Sequence, residues 1–238
     1  MSAQIIRDWS RAQVHFVGIG GSGMSGIARI MASRGAQVSG SDLNDSSTLN
    51  GLRSLGAKIY IGHSLDNLGS PDLVIKSSAI PANNPELEEA HKKGITVLER
   101  AAALAELMIG TRSVAVAGTH GKTTTTSMLT VALQHVGLDP SFAIGGTITA
   151  SGSNAHRGTG EIFVAEADES DGSFIEYHPY GAIVTNVEHD HVDFFATPED
   201  VAQAFKDFAA TINKDGFLTY CADDQGAKTL ASTVNNWC

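Results

Sequence analysis

The sequence has 238 residues, 42% of them hydrophobic, with few aromatics, 25 glycines and a formal net charge of -10. That length carries one large domain or two modest ones, and the acidic balance excludes a general nucleic-acid binder, which needs a basic face. Cys221 and Cys238 are far apart and in no metal-ligand spacing, which excludes a disulfide framework and points to a reducing compartment. The leading MSAQIIRDWSRAQ has no continuous apolar core, and no run approaches the roughly 18 apolar residues of a membrane span. A soluble, cytoplasmic protein with no membrane partner is expected.

Residues 14–19 read as a first strand. It runs into Gly18-Ile19-Gly20-Gly21-Ser22-Gly23 and then a helix whose apolar face carries Ile27, Ile30 and Met31. Glycines at Gly18, Gly20 and Gly23, between a strand and a helix, match the dinucleotide fingerprint, in which the helix N-terminus receives a pyrophosphate. A second strand at 37–41 ends at Asp42, placed either to accept from a ribose hydroxyl or to serve as a turn acid. An NAD-binding domain is one reading of this stretch. Strands at 58–61, 72–76 and 96–98 alternate with helices at 48–55, 86–93 and 100–108. Alternating units of this kind imply a doubly wound parallel sheet with ligands at the C-terminal strand ends. This domain closes near Gly110.

The next strand, 114–117, leads into Gly118-Thr119-His120-Gly121-Lys122-Thr123-Thr124 and a helix from Lys122. Met128, Leu129, Ala132, Leu133 and Val136 are expected on its buried face. A strand, a glycine turn and a helix start make a phosphate cradle, with Lys122 as the cation for β/γ-phosphates and the Thr123 hydroxyl as a Mg²⁺ ligand. The loop is two residues tighter than the usual P-loop spacing. Thr123 to Thr126 start a helix poorly on propensity alone, so their hydroxyls are expected to have another use.

A strand at 142–144 and a Gly/Ser-rich stretch at 149–160, read as a loop, come next. The strand at 161–167 then delivers Glu166, Asp168, Glu169 and Asp171. Glu166 lies inside the apolar run, where a carboxylate without a cation would be costly; Glu169 and Asp171 read as a solvated acidic turn. A buried strand at 181–187 leads to Glu188-His189-Asp190-His191-Val192-Asp193. Two histidines among carboxylates raise a zinc site, but there is no H-E-x-x-H and no third histidine at a helical interval. A helix begins at Thr197-Pro198-Glu199-Asp200, with Val201, Ala204, Phe205 and Phe208 inward and Lys206 outward. A strand at 217–221, a turn at Asp223-Asp224 and a short helix at 225–231 close the chain.

Several segments together resemble the Mur ligase and folylpolyglutamate synthetase superfamily. They are VHFVGIGGSGMSGIA, SGSD at Asp42, IKSSAIP around Ser78, GTHGKTT, EADESD at Glu166 and the Thr185-Asn186…Asp190-His191…Asp193 pattern. The resemblance implies a Rossmann-like UDP-sugar-binding domain at 1–110, followed by a P-loop ATPase α/β domain at 111–238. It implies that Gly18, Gly20, Gly21, Gly23, Asp42 and Ser78 hold UDP-N-acetylmuramate and not NAD. Residues 118–124 would hold the ATP phosphates, and Lys122, Glu166 and His191 would be the catalytic groups. Thr123, Glu166 and His191 would bind Mg²⁺, oriented by Asp190 and Asp193, and Lys206 falls where some members carry a carbamylated lysine.

The implied reaction joins L-alanine to UDP-N-acetylmuramate through an acyl phosphate, for peptidoglycan. A peptide-recycling ligase, a non-catalytic UDP-sugar-binding remnant and a dehydrogenase are the alternatives. Members of the family continue for about another domain's length, so the chain is expected to be an incomplete enzyme, inactive alone, lacking the domain that binds the amino acid.

Overall fold

A computed structural model describes residues 8–149 and 152–234; the leading seven residues and Cys238 lie outside the described residues. The chain divides into two compact units. The first takes residues up to Leu107 together with Asn154–Arg157, and the second takes Met108–Ser153 and the residues from Gly158 onward.

The first unit holds β1 (Gln13–Val17), β2 (Gln37–Asp42), β3 (Lys58–Ile61), β4 (Leu73–Lys76) and β5 (Thr96–Glu99), ordered β3-β2-β1-β4-β5 and all parallel. Helices α1 (Ser22–Ser33), α2 (Ser47–Ser54), α3 (Pro85–Lys92) and α4 (Arg100–Met108) supply the crossovers. β1 is the central strand and β4 beside it is also paired on both edges, so Val14, Phe16, Leu73 and Ile75 are fully buried and these strands read as largely apolar runs. α1 buries Ile27, Ile30 and Met31, as its 3.6-residue period requires.

The second, six-stranded sheet is formed by β6 (Arg112–Ala117), β7 (Ser141–Ile148), β8 (Ser153–His156), β9 (Ile162–Glu166), β10 (Gly181–Val184) and β11 (Phe217–Tyr220), in the order β11-β10-β6-β9-β7-β8. The pairs β11–β10, β10–β6, β6–β9 and β9–β7 are parallel. The helices of the second unit are α5 (Lys122–His135), α6 (Pro198–Ala210) and α7 (Gln225–Thr233). α6 starts with a capping box in which Thr197 and Asp200 bond each other's backbone N–H groups, and Pro198 takes the first turn. It buries Val201, Phe205 and Phe208, and Phe174 stacks on Phe208 with ring centroids 4.9 Å apart. Lys206 is exposed.

Three expectations change. β8 is a strand inside the stretch read as a loop, because pairing at a sheet edge asks little of side chains. On α5 the fully buried residues are Thr126 and Thr130, while Met128 and Val136 are exposed. Threonines can face inward because each hydroxyl donates to the carbonyl four residues back, Thr126 to Lys122 at 2.7 Å and Thr130 to Thr126 at 2.8 Å. Leu129 and Leu133, on the adjoining stripe, pack against Phe142, Ile144, Ile148 and Val164. The third is Glu169, which is 1% exposed and not solvated. Among the described residues no helix is long and apolar enough to cross a membrane.

Candidate functional site

In the second unit, β6, β9 and β10 are neighbours that all run the same way, so their C-terminal ends deliver three loops to one place. The first loop, 118–121, is gripped from the β10 exit. Asn186 accepts from the His120 N–H through Oδ1 at 2.8 Å, and the Thr185 hydroxyl donates to the His120 carbonyl at 2.6 Å. The Thr119 hydroxyl accepts from the Glu188 N–H at 2.9 Å. Gly118 is obligatory here: its φ is +134°, and a Cβ would stand 2.0 Å from Thr185 Oγ1. Gly121, left-handed, caps α5 without any side-chain hydrogen bond. The first-turn N–H groups of α5 are thus left without a side-chain cap, as a helix start that can receive an anion requires.

Lys122 curls back over this loop. Its Nζ donates to the carbonyls of Gly118 at 2.8 Å and Thr119 at 3.2 Å, and to Glu169 Oε1 at 2.9 Å. His191 Nε2 lies 3.4 Å from the same carboxylate oxygen. Burial pushes the Glu169 carboxyl above its ordinary value, against the pull of the Lys122 hydrogen bond and charge. His191 holds a left-handed backbone, φ 53°, the one positive value at a non-glycine among the described residues. A non-glycine in that region is strained, and the turn is closed by Phe194 and Phe195 N–H groups donating to the His191 carbonyl at 2.8 and 2.9 Å. Asp190 accepts from the His191 N–H at 2.7 Å, and that bond holds its carboxyl below the usual range.

The other carboxylate, Glu166, takes one hydrogen bond on each oxygen, from the Thr123 hydroxyl at 2.9 Å and the Gly145 N–H at 2.7 Å. The structure therefore sorts the predicted residues into two sets, Thr123 with Glu166 and Lys122 with His191 around Glu169. Glu169 was missed as a site residue because an acid in an E-A-D-E-S-D run gives no sign of which carboxylate turns inward. His189 Nε2 meets the Phe195 carbonyl at 3.1 Å. Among the described residues no three His, Cys, Asp or Glu side chains are grouped to hold a metal. The Thr123 hydroxyl beside the half-exposed Glu166 is nonetheless an all-oxygen pair, the donor chemistry that suits Mg²⁺.

The first unit has its own cavity of about 390 Å³ at the C-terminal ends of β1, β2 and β4, lined by Gly18, Gly20, Gly21, Asp42, His63 and Ser77 among others. Gly20 donates its N–H to Asp42 Oδ2 at 2.8 Å, and a Cβ at Gly20 would collide with that same oxygen. Asp42 thus fixes the glycine loop. A Cβ at Gly23 would stand 2.9 Å from Arg100 Cδ, so this glycine leaves room for the Arg100 side chain. Ser78 is exposed in the turn after β4, with Ser77, Ala79 and Ile80 around it on the cavity wall.

Behind the cavity is a buried polar group that the sequence reading passed over: His15, Ser41 and Glu86, each fully buried, with His63 on the cavity side. A histidine inside the apolar run V-H-F-V was the available signal, since a buried imidazole needs a partner.

Comparison with known proteins gives two family matches: "Mur ligase family, catalytic domain" over residues 13–112 and "Mur ligase middle domain" over residues 116–238. A UDP-N-acetylmuramate--L-alanine ligase of Nocardioides sp. is 59% identical over 219 residues, 92% of this chain and 49% of that protein. One from Rhodococcus opacus is 56% identical, over 93% of this chain and 45% of that protein. Among solved structures, a UDP-N-acetylmuramate-alanine ligase from Thermotoga maritima superposes with a TM-score of 0.82 at 33% identity, covering 92% of this chain and 51% of that one. A UDP-N-acetylmuramate:L-alanyl-gamma-D-glutamyl-meso-diaminopimelate ligase from Neisseria meningitides gives 0.85 at 29% identity, covering 94% and 75%. The chain spans about half the length of the curated relatives it matches.

Proposed function

Because the chain belongs to the Mur ligase family, we propose that it is the sugar-nucleotide- and ATP-handling part of a cytoplasmic, ATP-dependent ligase that joins L-alanine to UDP-N-acetylmuramate for peptidoglycan. The observation that carries this reading is the pair of phosphate loops, one per unit, the second with Lys122 and Thr123 in contact with carboxylates from the end of β9. A dehydrogenase reading explains the loop at Gly18, Gly20 and Gly23 and leaves the second without a use. L-alanine is favoured over a peptide as acceptor by the relatives at 56% and 59% identity.

In this reading the γ-phosphoryl group of ATP passes to the lactyl carboxylate of UDP-N-acetylmuramate, and the amine of L-alanine then displaces phosphate from the acyl phosphate to form the amide. Two anions must meet, so the work of the chain is positioning and charge neutralisation. The N–H groups of residues 121–124 face the β/γ-phosphates, and Gly118 keeps the loop close enough to β10 for them to converge. Lys122 leaves the loop carbonyls for the phosphates while Glu169 holds its charge in place. Thr123 and Glu166 would hold a Mg²⁺, which would supply further charge neutralisation, whereas His191 stands beside Glu169 and Lys122. Gly18, Gly20, Gly21 and Gly23, with Asp42 bracing the loop and Ser78 at the rim, would hold the pyrophosphate and sugar.

The test is calorimetric titration of this polypeptide with UDP-N-acetylmuramate, NADH and Mg-ATP in parallel. Saturable binding of the sugar nucleotide and not of NADH is expected. NADH binding without the sugar nucleotide refutes the ligase reading, and sugar-nucleotide binding without ATP leaves a UDP-sugar-binding module.

A further inference from the structure

Glu86 enters from the first turn of α3, fully buried, yet its carboxylate is completely provided for. Oε1 accepts from the Asn67 side-chain amide at 2.7 Å and the Ser64 N–H at 3.2 Å. Oε2 accepts from the Ser41 hydroxyl at 2.5 Å and lies 3.4 Å from His15 Nε2. These donors outweigh burial and bring its carboxyl from an ordinary 4.5 down to about 2. Glu86 is therefore ionised at neutral pH and has no proton to give.

That fixes the direction of the next bond. Ser41 Oγ is also 2.9 Å from His63 Nδ1. A serine hydroxyl has a single proton, and Ser41 spends it on Glu86, so the contact with His63 holds only if the imidazole donates through Nδ1–H. The neutral ring then carries its lone pair on Nε2, at the edge remote from Ser41. His63 lines the cavity beside the glycine loop, its side chain 12% exposed.

We infer that the Glu86–Ser41 pair sets the tautomer of His63, so that Nε2 is presented to the first-unit cavity as a hydrogen-bond acceptor for an N–H or O–H of the bound sugar nucleotide. His63 is the specificity group, and Ser41 and Glu86 are positioning residues that act through it. The helix start and the glycine loop at this cavity supply N–H donors that suit phosphate, although the Gly20 N–H is taken by Asp42. An acceptor fixed beside them reads the part of the ligand that phosphate recognition ignores. This rests on the reading of that cavity as the UDP-N-acetylmuramate site.

The experiment is ¹⁵N-histidine NMR of the whole chain, alone and with UDP or UDP-N-acetylmuramate, with the His63 signals assigned by their loss in H63L. In the free protein His63 is expected as the Nδ1–H tautomer, and its Nε2 resonance should move upfield on ligand addition. Movement with both ligands puts the donor on the uridine, and movement with the sugar nucleotide alone puts it on the sugar; either supports the inference. Ser41→Ala should release the ring toward Nε2–H and weaken ligand binding by about threefold to tenfold, the effect of one hydrogen bond. An Nε2–H tautomer in the free protein, or saturating ligand that leaves Nε2 unmoved, overturns the inference while the sugar-nucleotide reading stands. No binding of either ligand overturns both.

Discussion

Replacing Glu86 with Gln keeps the shape of the side chain and removes the charge that four neighbours are arranged to meet. The wild-type carboxyl is held at about 2 against 4.5 when unfolded. At about 1.4 kcal/mol per pH unit of displacement, ionised Glu86 contributes on the order of 3 kcal/mol. Because the folded value is the lower one, that contribution is fully present above pH 4.5 and is lost as pH falls from 4.5 toward 2. The glutamine amide also turns two donors toward groups that themselves donate, Ser41 and His15 or Ser64 and Asn67, so E86Q should lose about 3 kcal/mol or more at pH 7. Urea unfolding of the first unit reads this through the fluorescence of buried Trp9, in a W237F background so that one indole reports. The difference between wild type and E86Q should shrink steadily from pH 5 to pH 2. A difference below about 1 kcal/mol at pH 7, or one that does not change with pH, would refute the assignment of Glu86 as an ionised hub.

Lys122→Ala should weaken Mg-ATP binding at least about tenfold while leaving the sugar-nucleotide titration unchanged, since one charge-assisted contact of this kind is worth about 1.5–3 kcal/mol; equal ATP affinity would remove Lys122 from the phosphate site. Thr197→Ala opens the capping box of α6 and should cost about 1 kcal/mol in urea unfolding of the second unit, read by far-UV circular dichroism; no shift in midpoint counts against the cap. Phe208→Ala empties the place where Phe174 stacks and should cost about 3–5 kcal/mol, with loss of the cooperative transition of that unit; a cost under 1 kcal/mol would mean the aromatic cluster is not its core.

The alternation of apolar strands and amphipathic helices, the two glycine loops and the start of α6 were legible in the sequence because each is a local pattern: period, turn residue, cap. Strands at 58–61 and the helix at 100–108 fall where the pattern puts them. The glycine loop before α5 was legible for the same reason, since Gly118, Gly121, Lys122 and Thr123 are close in the chain. The inward face of α5 was not legible. Hydrophobicity favours Met128 and Val136, yet small threonines that bond their own helix face the sheet.

Burial of a charge depends on partners that are distant in sequence. Glu169 turns inward because Lys122, at the start of α5, and His191, in the loop after β10, meet it there. Glu86 turns inward because Ser41, Ser64, Asn67 and His15 converge on it from β1, β2 and the segment after β3. The sequence by itself determined the order of the elements apart from β8, and where the glycine loops fall between them, through short-range periodicity and turn stereochemistry. Only the tertiary structure decided which carboxylates are buried and which polar groups meet them, because desolvation and hydrogen-bond partners are set by groups brought together in space.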